Sequence, residues 1–318
     1  MTHILLTGAG FSRNWGLWLA DEVFEYLLAD SQITPPIRNE LWRAKSAGEN
    51  YEHAIQRLRD RALQGDDKDY RHMLTMLGGM FNAMKNSFSA QGFEFERTND
   101  VSRTVSTFLR RFDWIFTLNQ DTLLEYHYFV RGFMAPPKWS GFTIPGLEPI
   151  SISPYQSAGP SVEPLRPKTS GFSLPAGVQP YIKLHGSHNW LTDTGLMLIT
   201  GGNKKTDISD SPLLAWYSTL LEQQLCSPHA RLMIIGYGFG DDHINEVILR
   251  AAKAGAKIFI IDLLGVDAFY RREISQKSKV GLHYGLIESI IGASRRPLGS
   301  TFSTDTVEMH KILQFFER

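Results

Sequence analysis

Four short stretches hold the residues whose types and spacing fit chemistry. They are Gly8-Ala9-Gly10-Phe11-Ser12, Thr117-Leu118-Asn119-Gln120-Asp121, His185-Gly186-Ser187 and Gly236-Tyr237-Gly238-Phe239-Gly240-Asp241. The first is half of a G-x-G-x-x-G fingerprint, with Arg13 where the third glycine would stand. Glycines there let the backbone approach a pyrophosphate, whose charge is met by the free N–H groups of a helix start. Ser12 would support such a loop as an N-cap or a phosphate donor. An asparagine amide such as Asn119 both donates to and accepts from a hydroxyl or a water. A histidine of ordinary pKa, near 6.5, accepts a proton near neutral pH. Read singly, each stretch has a plainer meaning. Asn119 and Asp121 could cap the helix that follows, and His185 could be structural. The pair His185 and His188 has no third ligand at an obvious spacing, and the acids of "DDHIN" are explained by capping and the helix dipole, so no metal is expected.

What must position these stretches is a set of buried strands. "HILLT", "DWIFT", "YIKL", "ARLMII" and "AKIFII" are short apolar runs of the kind buried in parallel sheets, and amphipathic helical patterns alternate with them. The pattern predicts a Rossmann-like doubly wound parallel sheet, with all four stretches opening on the carboxyl edge where such sheets bind ligands. Asp262, ending the last of these runs, would accept hydrogen bonds from ribose hydroxyls, and Gly236 and Gly238 would let their loop approach an adenosine. Residues 36–110 read as an inserted helical layer, with Pro35 and Pro36 closing the unit before it. Residues 132–180 hold ten of the 15 prolines and read as a lid or an oligomer arm. "NWLTDTGLMLIT" reads as a hairpin. The whole is taken as one domain, 1–318.

Composition narrows the function classes. The 33 basic and 33 acidic residues cancel, which gives no support to a nucleic-acid or membrane-surface binder. A single cysteine, Cys226, excludes an intrachain disulfide and a cysteine-rich zinc module, and it suits a reducing compartment. With no signal peptide pattern at "MTHILLTGAGFS" and no apolar run of membrane length, a cytoplasmic protein is expected. The short charge pair Lys204-Lys205 reads as solvated surface.

Taken together and in order, "GAGFS", "TLNQD", "KLHGS" and "GYGFGDDHIN" resemble the sirtuin, or SIR2-like, family. Sirtuins carry a GAG-x-S phosphate loop, a T-x-N-x-D motif and an H-G motif with the catalytic histidine. The fourth stretch is similar to the version found in SIR2-like NAD-degrading effectors of bacterial antiphage defence. The resemblance implies NAD+ as substrate, bound by Gly8, Ala9, Gly10, Phe11, Ser12, Asp121, Gly236, Gly238 and Asp262, with Asn119 and His185 catalytic. Asp121 matches the family residue that helps hold the nicotinamide amide. The four-cysteine zinc module of the deacylating sirtuins is missing, and "RNWGLWLADEV" replaces their proline-aspartate-phenylalanine-arginine segment. Both departures weigh against protein deacylation and leave NAD+ glycohydrolase activity as the leading expectation. The alternatives are a zinc-free NAD-dependent deacylase and a catalytically silent NAD-binding module. The resemblance further implies a homo-oligomer and a HerA-type ring ATPase as partner.

Overall fold

A computed structural model of the 318-residue chain describes residues 1–96, 100, 103–127, 144–150, 164–193, 195–201, 203–269 and 285–317. In chain order, β1 (Thr2–Thr7) leads into the short α1 (Ala9–Arg13) and α2 (Ala20–Ala29). Four helices follow: α3 (Pro35–Ser46), α4 (Tyr51–Leu63), α5 (Lys68–Ser89) and α6 (Val105–Leu109). Then come β2 (Trp114–Thr117), α7 (Leu123–Glu125), β3 (Leu147–Pro149), β4 (Leu165–Pro167), β5 (Tyr181–Lys183), β6 (Gly186–Thr192) and β7 (Gly195–Leu198). The remainder is α8 (Lys204–Asp210), α9 (Pro212–Leu225), β8 (Ala230–Ile235), α10 (Asp242–Lys253), β9 (Lys257–Ile261), β10 (Ile290–Ser294), α11 (Leu298–Ser303) and α12 (Thr306–Leu313).

Six strands form one sheet in the order β10-β9-β8-β1-β2-β5, and every neighbouring pair is parallel. Numbered by their order within this sheet, the strands run 6-5-4-1-2-3, the dinucleotide-fold order with its reversal between β1 and β8. The strands are apolar because helices cover both faces: Ile4, Leu5, Leu6, Ile115, Phe116 and Leu232 are fully buried. A second sheet, β3-β4-β6-β7, is mixed, and the expected hairpin is its antiparallel pair β6–β7. Thr194, inside the hairpin's predicted turn, lies outside the described residues, as does most of 132–180.

The helices between β1 and β2 start and stop on local signals. Pro35 and Pro36 do not close a unit; they open α3 at its first two positions, where a missing N–H costs nothing, under the N-cap Thr34. Asn50 caps α4, and Gly48 and Gly65 take positive φ between the helices. Among the described residues, no helix is long and apolar enough to cross a membrane.

At the reversal point three of the glycines are required by packing within the protein itself. A Cβ on Gly8 would lie 2.6 Å from the Gly236 carbonyl oxygen, and one on Gly10 would lie 2.7 Å from the Gly236 Cα. Gly236 has φ +62°, and its own Cβ would lie 2.3 Å from Gly10 and Phe11 backbone atoms. The Gly10 N–H donates to the Gly236 carbonyl at 2.9 Å. These three glycines therefore let two loops of the protein cross at backbone contact. Gly238 meets nothing within 4 Å. Gly236→Ala should destabilise the fold by about 2–4 kcal/mol, through overpacking and left-handed strain. Gly238→Ala should cost less than about 1 kcal/mol. Chemical denaturation of the two variants checks this, and equal losses would contradict the crossing.

Candidate active site

The strand registers bring the four stretches together. Thr7 pairs with Thr117, Thr117 with Lys183, and Thr7 with Ile235, so β1, β2, β5 and β8 end level on one edge. The Thr7 hydroxyl donates to Thr117 Oγ1 at 2.8 Å, and the same oxygen accepts the Asn119 N–H at 3.0 Å, turning the chain sharply after β2.

Ser12 sits inside α1, not at its N-cap, and is buried. Its hydroxyl donates to Asp121 Oδ2 at 2.9 Å and accepts from Asn119 Nδ2 at 2.9 Å. The first two stretches are thus joined by one hydroxyl, and the orientation of the Asn119 amide is set by it. Asp121 also accepts the Leu123 N–H at 2.9 Å through Oδ1, so one carboxylate both holds Ser12 and supports the start of α7. Asn119 caps nothing. Gln120 ties in the third stretch: its amide donates to the carbonyls of Ile199 at 2.8 Å and His185 at 3.3 Å. Its own carbonyl accepts from Ser187 Oγ at 3.2 Å and faces His188 Nδ1 at 3.0 Å.

His185 lies two residues past the end of β5 and is 3% exposed. Its Nε2 lies 3.1 Å from Nε2 of His243, the third residue of "DDHIN". Burial drives the His185 pKa down to about 3, against the pull of the Asp241 carboxylate. Burial also lowers the His243 pKa. His185 is therefore a neutral imidazole, a far weaker base than the ordinary histidine expected from sequence. Lys204 is not solvated surface: its ammonium is held at 2.8 Å from Asp241 Oδ1 and at 2.8 Å from Glu52 Oε2. Asp241, His243 and Lys204 were assigned no chemical role by sequence. Only the "GYGFGDDHIN" likeness flagged the first two. Asp262 lies at the end of β9 on the same edge, where its Oδ1 accepts the Leu264 N–H at 2.9 Å. His188, three residues from His185, turns away to stack on Phe81 with ring centroids 4.8 Å apart.

Beneath the edge lies a fully buried ion pair. Lys183 Nζ is 2.6 Å from Glu125 Oε1, and Tyr181 donates to Glu125 Oε2 at 2.9 Å. The Lys183 ammonium also donates to the Asp121 carbonyl at 2.5 Å. Burial pushes the Glu125 pKa up and Lys183 pulls it back. With both partners hydrogen-bonded, the charged form is the one the geometry satisfies. The pair braces the turn that carries Asn119 and Asp121.

The SIR2-like domain family model matches residues 113–277, just over half of the 318-residue chain, and the chain belongs to that family. No curated protein matches it. SIR2-like domains use NAD+ as substrate, which places this chain among NAD-utilising proteins. The matched span holds the second, third and fourth stretches. The first lies outside it and is joined to it by the Ser12 hydrogen bonds.

The buried ion pair and the buried His188 each give a prediction. Lys183→Met, which strands Glu125, should cost about 3–5 kcal/mol in denaturant unfolding, and the double change Lys183→Met with Glu125→Leu should recover much of it. A loss below about 1 kcal/mol for the single variant would mean that the pair is not closed. Burial also drives the His188 pKa down to about 4. Unfolded, His188 titrates near 6.5 and binds the proton that the folded chain refuses, so stability must fall as pH drops from about 6.5 towards 4. Replacing His188 with Phe should reduce that slope in unfolding midpoints measured across the window, leaving the part that the depressed His185 and His243 contribute. An unchanged slope would place the acid sensitivity elsewhere.

Proposed function

We propose that the chain is an NAD+ glycohydrolase that releases nicotinamide and ADP-ribose. The reading rests on one observation: a hydrogen-bonded relay runs from the Asn119 amide through the Ser12 hydroxyl to the Asp121 carboxylate at the strand-order reversal, on the edge where His185 also emerges. That is where dinucleotides bind in this sheet order.

In the reaction, the bond between the ribose C1′ and the nicotinamide nitrogen breaks, and its electron pair neutralises the pyridinium. No general acid is needed. Water attacks the ribose carbon from the other face and gives its proton to His185, directly or through a ribose hydroxyl. Asn119, its amide oriented by Ser12, positions the ribose and the water. Asp121 holds the nicotinamide amide. Gly8, Ala9, Gly10 and Phe11 carry the phosphates, while Gly236, Gly238 and Asp262 face the adenosine half. The charge developing on His185 would be met by Asp241, the carboxylate that already raises its pKa.

Such an activity destroys a shared metabolite, so it suits a gated toxic effector of bacterial antiphage defence, acting in the cytoplasm. We read the chain as one domain with 36–110 as its helical layer and 132–180 as a lid or assembly arm. Gating would come from homo-oligomerisation and from a HerA-type ring ATPase. The test is to incubate the chain with NAD+, alone and with that partner, and to follow nicotinamide and ADP-ribose by chromatography. Asn119→Ala and His185→Ala should each slow release by about 10²–10⁴-fold. Turnover that needs an acyl-lysine peptide would make the chain a deacylase. NAD+ binding without release under both conditions would make it a binding module.

A further inference from the structure

His185 Nε2 and His243 Nε2 face each other at 3.1 Å, and a carboxylate oxygen of Asp241 joins them, all three ligand atoms lying within 4.8 Å of one another. Two imidazole nitrogens bound to one tetrahedral zinc ion at about 2.0–2.1 Å would be about 3.3–3.4 Å apart. The observed spacing of the two nitrogens is close to that. Without an ion, two facing ring nitrogens can share only a single proton between them.

The surroundings hold charges of both signs, with the Lys204 ammonium opposing positive charge at both histidines and the carboxylates favouring it. Lys204 binds Asp241 Oδ1, which fixes the carboxylate. The Lys204 charge is itself met by Glu52 at 2.8 Å. Asp242 and Glu246 add negative charge near His243. The donor set is two nitrogens and one oxygen, which suits zinc and its first-row neighbours more than calcium or magnesium. Three protein ligands would leave one position for water.

We propose that His185, Asp241 and His243 form a binding site for one divalent cation of the zinc class, and that the bound ion inhibits NAD+ cleavage by occupying the His185 lone pair. The inhibitory half rests on reading His185 as the base. The site is unrelated to the cysteine module of the deacylating sirtuins, because it sits on the catalytic histidine and uses no sulfur.

Chelator-treated protein should bind one equivalent of Zn2+ in calorimetry. It should bind one Co2+ with the visible absorption of a four-coordinate complex. His243→Ala and Asp241→Asn should each weaken Zn2+ binding tenfold or more. In the wild-type Co2+ protein, proton NMR should show two strongly shifted imidazole N–H resonances, a readout that needs no variant to fold. The absence of stoichiometric binding, fewer than two shifted resonances, or affinity unchanged in a folded His243→Ala protein would overturn the site. One equivalent of zinc should slow NAD+ cleavage by about 10²-fold or more, the size of a lost general base, and a chelator should restore it. Full turnover with zinc bound would overturn the inhibitory role. Stoichiometric zinc binding in a chain that never cleaves NAD+, even with its partner, would sink the hydrolase reading and leave the metal site standing.

Discussion

Two loops of this chain cross where the strand order reverses, and they do so at a separation that no side chain permits. Gly8 and Gly10 after β1 meet Gly236 after β8, and backbone hydrogen bonds lock the contact. Everything at the carboxyl edge takes its position from that crossing. It sets α1, hence the depth of Ser12, hence the amide plane of Asn119 and one oxygen of Asp121. It also aims the segment after β8, which delivers Asp241 and His243 to His185. A dinucleotide site is usually described by the glycines that touch its ligand. Here the same glycines are first required by the protein itself.

Much of this was legible in the sequence because it depends on local pattern. The five edge-forming strands are short apolar runs, and a run buried on both faces carries the same signature wherever it occurs. The order of the four stretches along the chain, together with a parallel sheet, was enough to place them on one edge. The helical layer between β1 and β2 follows from its apolar spacing, although its first boundary is a start and not an end, because Pro35 and Pro36 open α3 under Thr34.

The rest depended on long-range contacts, which residue type alone does not encode. Nothing near Ser12 says that its hydroxyl will meet residues more than a hundred positions away. Lys183 sits inside an apolar strand, a local contradiction that is resolved only by Glu125. A lysine in the middle of "YIKLHG" was the available signal for a buried partner, and Glu125 in "TLLEY" was its counterpart. His243 offered less, since acids and a histidine at a helix start are what capping alone would select. The depressed basicity of His185 is a property of its enclosure, and enclosure is assembled from every element at once.

The chain leaves the parallel sheet at Lys183 and enters the second sheet at Gly186, so only Leu184 and His185 separate the two. Gly186 takes φ +72° there, with backbone of Met197 in β7 so close that a Cβ would lie 2.1 Å from it. The histidine is thus the pin of a joint, clamped on one side by the strands that define the dinucleotide edge and on the other by a sheet that carries none of the four stretches beyond Ser187. Gly186 of that outer sheet is bonded directly to His185, and the N–H of Ile199, just past β7, donates to the His185 carbonyl at 3.0 Å. Anything that grips β6 and β7 therefore holds a lever on this imidazole.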